Sequence, residues 1–177
     1  MTSQLYAPRG TQRFERRRPP TAGPGECISS ARVFAVGMAE EIELSPRGWV
    51  RDQTERILSQ GTTDGVEVFD RPVVLLTITG AKSGKQRYVP LMRVEKDGRY
   101  VIVASHGGAP EHPVWYFNLK ANPTVTLQDG DKVVTLTARE LEGAEREEWW
   151  QRAVEAFPPY AEYKSKTARQ IPVLVLE

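Results

Sequence analysis

The sequence predicts an α+β chain that is mainly β, a small antiparallel barrel with helices packed around it. Three observations carry this. Short apolar, β-branched or aromatic runs recur at 73–79, 87–95, 100–105, 124–127, 132–141 and 171–176. Two joints between them, Lys96-Asp97-Gly98 and Asp129-Gly130, have hairpin chemistry. Helical periodicity is confined to the stretches between these runs. Hairpins exclude a doubly wound parallel sheet, whose neighbouring strands need long crossovers. Closing about six strands into a barrel is the economical way to bury them.

At 177 residues and a formal net charge of +1, one domain is expected, and any electrostatic function must be local. The single cysteine, Cys27, cannot form an internal disulfide, which fits a reducing cytoplasm. With His106 and His112 it falls short of the usual zinc ligand set, so no metal is expected. No apolar run approaches the ~20 residues that span a bilayer, and the first residues lack the order of a secretion signal.

Residues 1–40 read as a disordered basic arm, with Arg9, Arg13, Arg16, Arg17 and Arg18 among prolines and glycines. Three readings stand for it: an inert tail, an arm making peripheral contact with membrane lipid or nucleic acid, or an extension upstream of a natural start at Met38. Residues 41–177 then form the folded domain.

Within that domain, Ser45-Pro46 predicts a helix start, Trp49, Val50, Gln53, Ile57 and Leu58 its apolar face, and Gly61 its stop. Strands follow over 73–79, 87–95 and 100–105. The stretch 112–122 reads as a short helix ended by Asn122-Pro123, and the second hairpin flanks Asp129-Gly130. From about Ala144 a helix carries Trp150, Ala153, Val154 and Phe157 as a buried stripe, opposite Glu145, Arg146 and Glu148. Pro158-Pro159 breaks it, and a polar segment with Tyr160 and Tyr163 leads to the last strand.

Chemistry concentrates in four places. After the first strand, Gly80-Ala-Lys-Ser-Gly-Lys-Gln-Arg87 makes a tight cationic turn. Glycines let backbone N–H groups approach a ligand, and Lys82, Lys85 and Arg87 supply charge for an anion such as phosphate. It is not the nucleotide-binding P-loop, which needs four residues between its glycines and a Ser or Thr after the lysine. Here three residues separate Gly80 from Gly84, and Gln86 follows Lys85. The plainer alternative is a solvated hairpin turn. Second, Ser105-His106-Gly107-Gly108 ends a strand with glycines that permit unusual backbone or a ligand pressed against the chain. Adjacent Ser105 and His106 would point to opposite sides, which argues against a nucleophile–base pair. Third, Trp115, Tyr116 and Phe117 on the short helix suit core packing with one ring at a pocket, and Asn118 suits a hydrogen bond to ligand or backbone. Fourth, Tyr160 and Tyr163 share a helical face and suit either half-buried packing or the wall of a pocket for a flat, electron-poor molecule.

The runs LLTITGAKSGKQRYVPLM and VIVASHGGAPEHPVWYFNLKANP, with the tyrosine segment before IPVLVLE, resemble the deazaflavin-dependent nitroreductase family. The likeness covers about 44–177. It implies an FMN-binding-like split β-barrel and coenzyme F420 in its reduced form, F420H2. By that resemblance Lys82, Ser83, Gly84 and Arg87 hold the phosphate and glutamate tail. Pro90, Leu91 and Met92 run beside the deazaflavin ring, and Ser105, Gly107 and Gly108 line its pyrimidine edge. Trp115 and Asn118 complete the cofactor wall. His106 belongs to the same cofactor set but stands where lysine is common. Phe157 stands where another tyrosine is common, and Tyr160 and Tyr163 fall over the acceptor.

The implied reaction is hydride transfer to a quinone, nitroaromatic or similar acceptor. The protein positions the two rings and stabilises negative charge on oxygen through Tyr160, Tyr163, Ser105 or a backbone N–H. Three alternatives are a relative using FMN, a non-catalytic protein that sequesters F420, and a nucleic-acid module. The last is disfavoured by near-neutral charge and by aromatics not interleaved with cations. Monomer and homodimer are both compatible with the sequence.

Overall fold

The structure, a computed structural model, describes residues 42–177. The basic arm at 1–40, the alternative start at Met38 and Cys27 lie outside these residues.

In chain order the elements are α1 (Gly48–Gln60), β1 (Val73–Thr79), β2 (Gln86–Met92), β3 (Glu95–Lys96), β4 (Arg99–Val103) and a 3-10 turn at His106–Gly108. Then come α2 (Val114–Ala121), β5 (Thr124–Asp129), β6 (Lys132–Glu140), α3 (Gly143–Ala156), α4 (Pro159–Lys166) and β7 (Val173–Leu176). The strands form one antiparallel sheet in the order β2-β1-β5-β6-β7-β4-β3. Nine-residue β6 is the pivot. Residues 132–137 pair with β5, whereas Ala138–Glu140 pair with β7. One long strand thus joins two half-sheets, and the sheet curls into the expected split barrel.

Alternation sorts the core. Val74, Leu76 and Ile78 of β1 point into the barrel with Val125, Leu127, Tyr100, Ile102, Leu174 and Leu176. Their neighbours Val73 and Leu75 face outward onto Ile57 of α1. Val101, Val103, Val173 and Val175 face outward into a cluster with Trp149, Trp150, Phe157 and Tyr160. One mouth of the barrel is tied by Asp129, which accepts from Arg93 Nε at 2.9 Å and from the Tyr100 hydroxyl at 2.8 Å. Burial, reinforced by that hydrogen bond, pushes the Tyr100 phenol up to about 12.

Several expectations need correction. Helix α1 starts at Gly48 and not at Ser45, because the Ser45 hydroxyl accepts from the nearby Arg47 N–H at 3.2 Å and closes a turn before the helix. Its buried stripe is narrow: Thr54 and Ile57 are inside, while Trp49 is 59% and Leu58 42% exposed. The strand expected over 87–95 is two strands on opposite edges of the sheet. The break falls at Arg93, whose N–H bonds the Pro72 carbonyl at 3.0 Å while its guanidinium turns to Asp129 and Glu95. Arg146, expected on the solvent face of α3, is buried over Trp150 and donates to the Ile171 carbonyl at 2.9 Å. The polar segment after Pro158 is helix α4, with Pro159 in its first turn. The last strand begins at Val173, two residues later than expected.

Leu76→Ala, at a fully buried position inside the barrel, is expected to cost about 2–5 kcal/mol. Urea unfolding followed by circular dichroism checks this. A loss below about 1 kcal/mol would show that the barrel interior closes over the gap.

Candidate functional site

The cationic turn hangs from the end of β1. Gly80 N–H bonds the Lys85 carbonyl at 2.8 Å, and Gly84 N–H bonds the Gly80 carbonyl at 2.9 Å. The Ser83 hydroxyl accepts from the Lys85 N–H at 3.3 Å. A Cβ at Gly80 would lie 2.8 Å from Ser83 Oγ and 3.3 Å from the Lys85 carbonyl oxygen, so a side chain there would push the serine hydroxyl aside and crowd the turn backbone. Gly84 is required by conformation, at φ +70°. Lys82, Ser83 and Gly84 are exposed. Helix α2 secures the turn from behind: buried Asn118 accepts the Ala81 N–H at 3.0 Å, and Asn122 donates to the Thr79 carbonyl at 3.4 Å.

An anionic group already sits in this turn. Glu43 makes a parallel bridge to Arg87 at the outer edge of β2. Its carboxylate lies 3.0 Å from Lys85 Nζ and 2.7 Å from Arg87 Nη2. The hydrogen bond from Lys85, aided by the Arg87 and Lys85 charges, holds the Glu43 carboxyl below its ordinary range. These pairs face solvent, so water and salt screen them. Lys82 makes no ion pair among the described residues.

The second turn follows β4. His106, Gly107 and Gly108 all have positive φ, at 51°, 66° and 82°. Gly108 abuts α4, where a Cβ would come within 2.9 Å of the Tyr163 carbonyl oxygen. Arg169 clamps the turn by donating to the carbonyls of Ser105 at 2.8 Å, Ala104 at 3.2 Å and Ala109 at 2.9 Å. Its remaining amino group reaches His112 Nδ1 at 3.1 Å. His106 Nε2 lies 3.2 Å from Arg47 Nη2, and Nδ1 lies 3.1 Å from the Glu111 carbonyl. Arginine can only donate and a carbonyl only accept, so in these contacts Nε2 is placed to accept and Nδ1 to donate. Both ring nitrogens are therefore engaged with Arg47 and the Glu111 carbonyl and not with Ser105. Residues 43–47 run from the first turn, through Glu43, to the second, through Arg47.

Running away from the first turn, β2 ends in the half-buried edge residues Pro90, Leu91 and Met92, paired with Leu75, Val74 and Val73. Trp115 is half-buried against the same interior cluster as Leu91. Met92 packs against both the α1 cluster and the α3–α4 cluster. Tyr163 is half-buried beside the glycine turn. Tyr160, expected over the acceptor, instead lies inside the core at 5% exposure. Phe157 meets it edge-on at 5.0 Å, with Trp150 and Tyr163 each at 6.3 Å. Burial pushes its phenol far above the ordinary value. The shared helical face is real, but it turns toward α3 and leaves only Tyr163 at the rim.

The structure thus gathers Lys82, Ser83, Gly84, Arg87 and Asn118 around one turn, and Ser105 to Gly108 with Tyr163 around the other. Sequence reasoning missed Glu43, Arg47 and Arg169, isolated charged residues whose partners are remote in the chain. A separate cavity of about 470 Å³, lined by His112, Tyr116, Glu140, Arg146 and Arg169 among others, contains none of the predicted cofactor residues.

These features define a split-barrel protein with an exposed cationic turn, a second glycine-rich turn, and half-buried Trp115 and Tyr163 near them. Residues 49–177 match the model of the F420H2-dependent quinone reductase family, and the chain belongs to that family. It is similar to an F420H2-dependent quinone reductase of Mycobacterium tuberculosis, 41% identical over 108 residues, or 59% of this chain and 72% of the relative. A solved F420-H2 dependent reductase, FDR-A, is 70% identical at TM-score 0.58, covering 64% of this chain and 100% of that one. A structure described as a domain-swapped dimer is 72% identical at TM-score 0.60, covering 75% and 100% respectively.

If Glu43 competes with incoming anions, Glu43→Gln will tighten F420 binding several-fold at low salt. Titration of F420 fluorescence measures this, and an affinity equal to wild type would remove Glu43 from the site.

Proposed function

We propose that the chain is a reductase that moves a hydride from F420H2 to a quinone, with nitroaromatics as secondary acceptors. The observation that carries this is the Glu43 carboxylate bound at 2.7 and 3.0 Å in the predicted tail-binding turn. A turn that holds an internal carboxylate has the donors and charge to hold a phosphate or an oligoglutamate. The residues present fit the cofactor, with exposed Lys82, Ser83 and Gly84 next to Arg87 for its anionic tail. Pro90, Leu91, Met92 and Trp115 offer an apolar flank for its ring. The turn Ser105–Gly108, clamped by Arg169, offers backbone close approach at the ring edge through exposed Gly107.

When bound, reduced deazaflavin supplies a hydride and no readily released single electron. The chain's own residues orient the acceptor and stabilise the charge that develops on its oxygen. Tyr163 at the rim and Ser105, whose hydroxyl makes no hydrogen bond among the described residues, are the donors in this reading. One hydride and one proton from solvent complete a hydroquinone. Asn118 acts indirectly, by holding Ala81 and with it the cationic turn. Tyr160 supports Tyr163 from within the core.

The closely similar domain-swapped dimer supports a homodimer over a monomer. Light scattering on the purified chain distinguishes the two. No helix among the described residues is long and apolar enough to cross a membrane. A cytoplasmic location follows from this reading, with residues 1–40 as the segment that would meet an anionic bilayer; sedimentation with anionic vesicles tests that contact.

Mixing the protein with F420H2 and menadione should restore the oxidised chromophore at a rate set by enzyme concentration; a rate independent of the enzyme defeats the proposal. Lys82→Ala with Arg87→Ala should weaken F420 binding, most visibly at low salt. Tyr163→Phe should lower turnover roughly 10-fold or more and spare F420 affinity, whereas Tyr160→Phe should shift stability more than kcat. Equal kinetic effects of the two would refute the assignment of Tyr163 as donor.

A further inference from the structure

The link between α1 and β1 contains a feature that packing does not explain. Val68 and Arg71 exchange backbone hydrogen bonds at 2.9 and 3.1 Å, closing a two-residue turn over Phe69 and Asp70. Both have positive φ, 50° and 56°. A turn of this kind favours Asn-Gly, because a bulky side chain clashes with its own backbone there. Phe69 is the opposite choice, and burial offers no compensation, since the residue is 75% exposed. One side of its ring meets Phe157, with centroids 6.0 Å apart and planes inclined by 37°. Phe157 lies 6.3 Å from Tyr163. Val68, next in the hairpin, packs in the same cluster as Met92. The strained turn therefore places an open aromatic face at the end of a row formed with Phe157 and Tyr163.

We propose that Phe69 is the outer apolar wall of the acceptor site, where its ring covers one face of a flat, hydrophobic quinone and favours fused-ring acceptors over small or charged ones. This deepens the reductase reading and rests on its placement of Tyr163 at the acceptor. Local strain retained at an exposed position is expected where the side chain has work outside the core. A ring face stacked on an aromatic acceptor supplies attraction beyond simple burial. The cofactor tail meets its cations on the β1–β2 turn, so Phe69 influences acceptor choice without touching that tail.

The test compares Phe69→Gly, Phe69→Tyr and Asp70→Gly with wild type. Four quantities are read: Tm, F420 affinity, menadione affinity with oxidised F420 present, and KM and kcat for menadione with F420H2. Phe69→Gly relieves the turn, so Tm should rise while menadione Kd and KM rise roughly 3–10-fold and F420 affinity stays constant. Phe69→Tyr should keep the wild-type KM, and Asp70→Gly should raise Tm with KM unchanged. Unchanged menadione Kd and KM in Phe69→Gly overturn the proposal. So does a lower Tm without a change in Kd, which would make the ring a packing element, or a changed oligomeric state, which would make it a subunit contact. If wild type binds menadione and loses affinity on Phe69→Gly but never oxidises F420H2, the reductase reading fails and the wall stands.

Discussion

The candidate site depends on the end of β1, a strand covered on both faces. Inside the barrel it presents Val74, Leu76 and Ile78, and outside it presents Val73 and Leu75 to α1. Burying each such side chain is worth about 1.5–3 kcal/mol, which makes β1 a rigid support. A strand apolar on both faces is nevertheless weakly specified in register, because a one-residue slip still buries apolar groups. Polar contacts supply what hydrophobicity leaves open. Asn118 takes the Ala81 N–H and Asn122 reaches the Thr79 carbonyl, so α2 grips the residues where the strand becomes the turn. Removing such a buried amide would leave its backbone partner unpaired as well as freeing the strand end.

What was legible in the sequence follows from how local the determining contacts are. β1, β5, β6 and the hairpins at Asp97-Gly98 and Asp129-Gly130 were readable because runs and turn residues encode them within a few positions. Helix α3 was readable by its period, except that Arg146 lies inside it; a charged residue paired with a ring and a carbonyl looks like a surface residue in any pattern. The split between β2 and β3 was not readable, since Arg93 leaves the ladder for Asp129, which arrives much later in the chain. The same distinction divides the site. Both glycine turns announced themselves through φ requirements and charge. Glu43, Arg47 and Arg169, which join and hold them, carried no local signal. Tyr160 and Tyr163 were correctly placed on one face, but sequence spacing cannot set how deeply each tyrosine sits.

The electrostatics of the site are likewise local. A net charge of +1 gives little long-range attraction, and elsewhere cations are matched in place, as where Arg139 and Arg99 share Glu145 and Glu177. Within the cationic turn Glu43 offsets Lys85 and Arg87, leaving Lys82 as its exposed cation without a partner among the described residues. At 0.1 M salt the screening length is about 10 Å, so an anion senses the turn only on near approach. Backbone geometry and short-range hydrogen bonds must then dominate recognition. In the proposed reading, that suits a long, multiply charged tail better than a simple ion, because such a tail could engage Lys82 and displace Glu43 together.

The two sides of the site are built differently, and the difference bears on specificity. On the proposed cofactor side, Gly80, Gly108, Asn118 and Arg169 are constrained by sub-3.5 Å neighbours or by hydrogen bonds. Little there can adjust without disturbing the barrel. On the proposed acceptor side, Tyr163 is half-buried and Phe69 is exposed, and their shared contacts with Phe157 are apolar and non-directional. Apolar walls discriminate weakly between similar shapes, by about 1–3 kcal/mol per methylene-sized difference, whereas a hydrogen-bonded cradle rejects mismatched groups strongly. Under the proposed assignment, a protein divided in this way would be strict about the molecule that donates the hydride and permissive about the flat molecule that receives it.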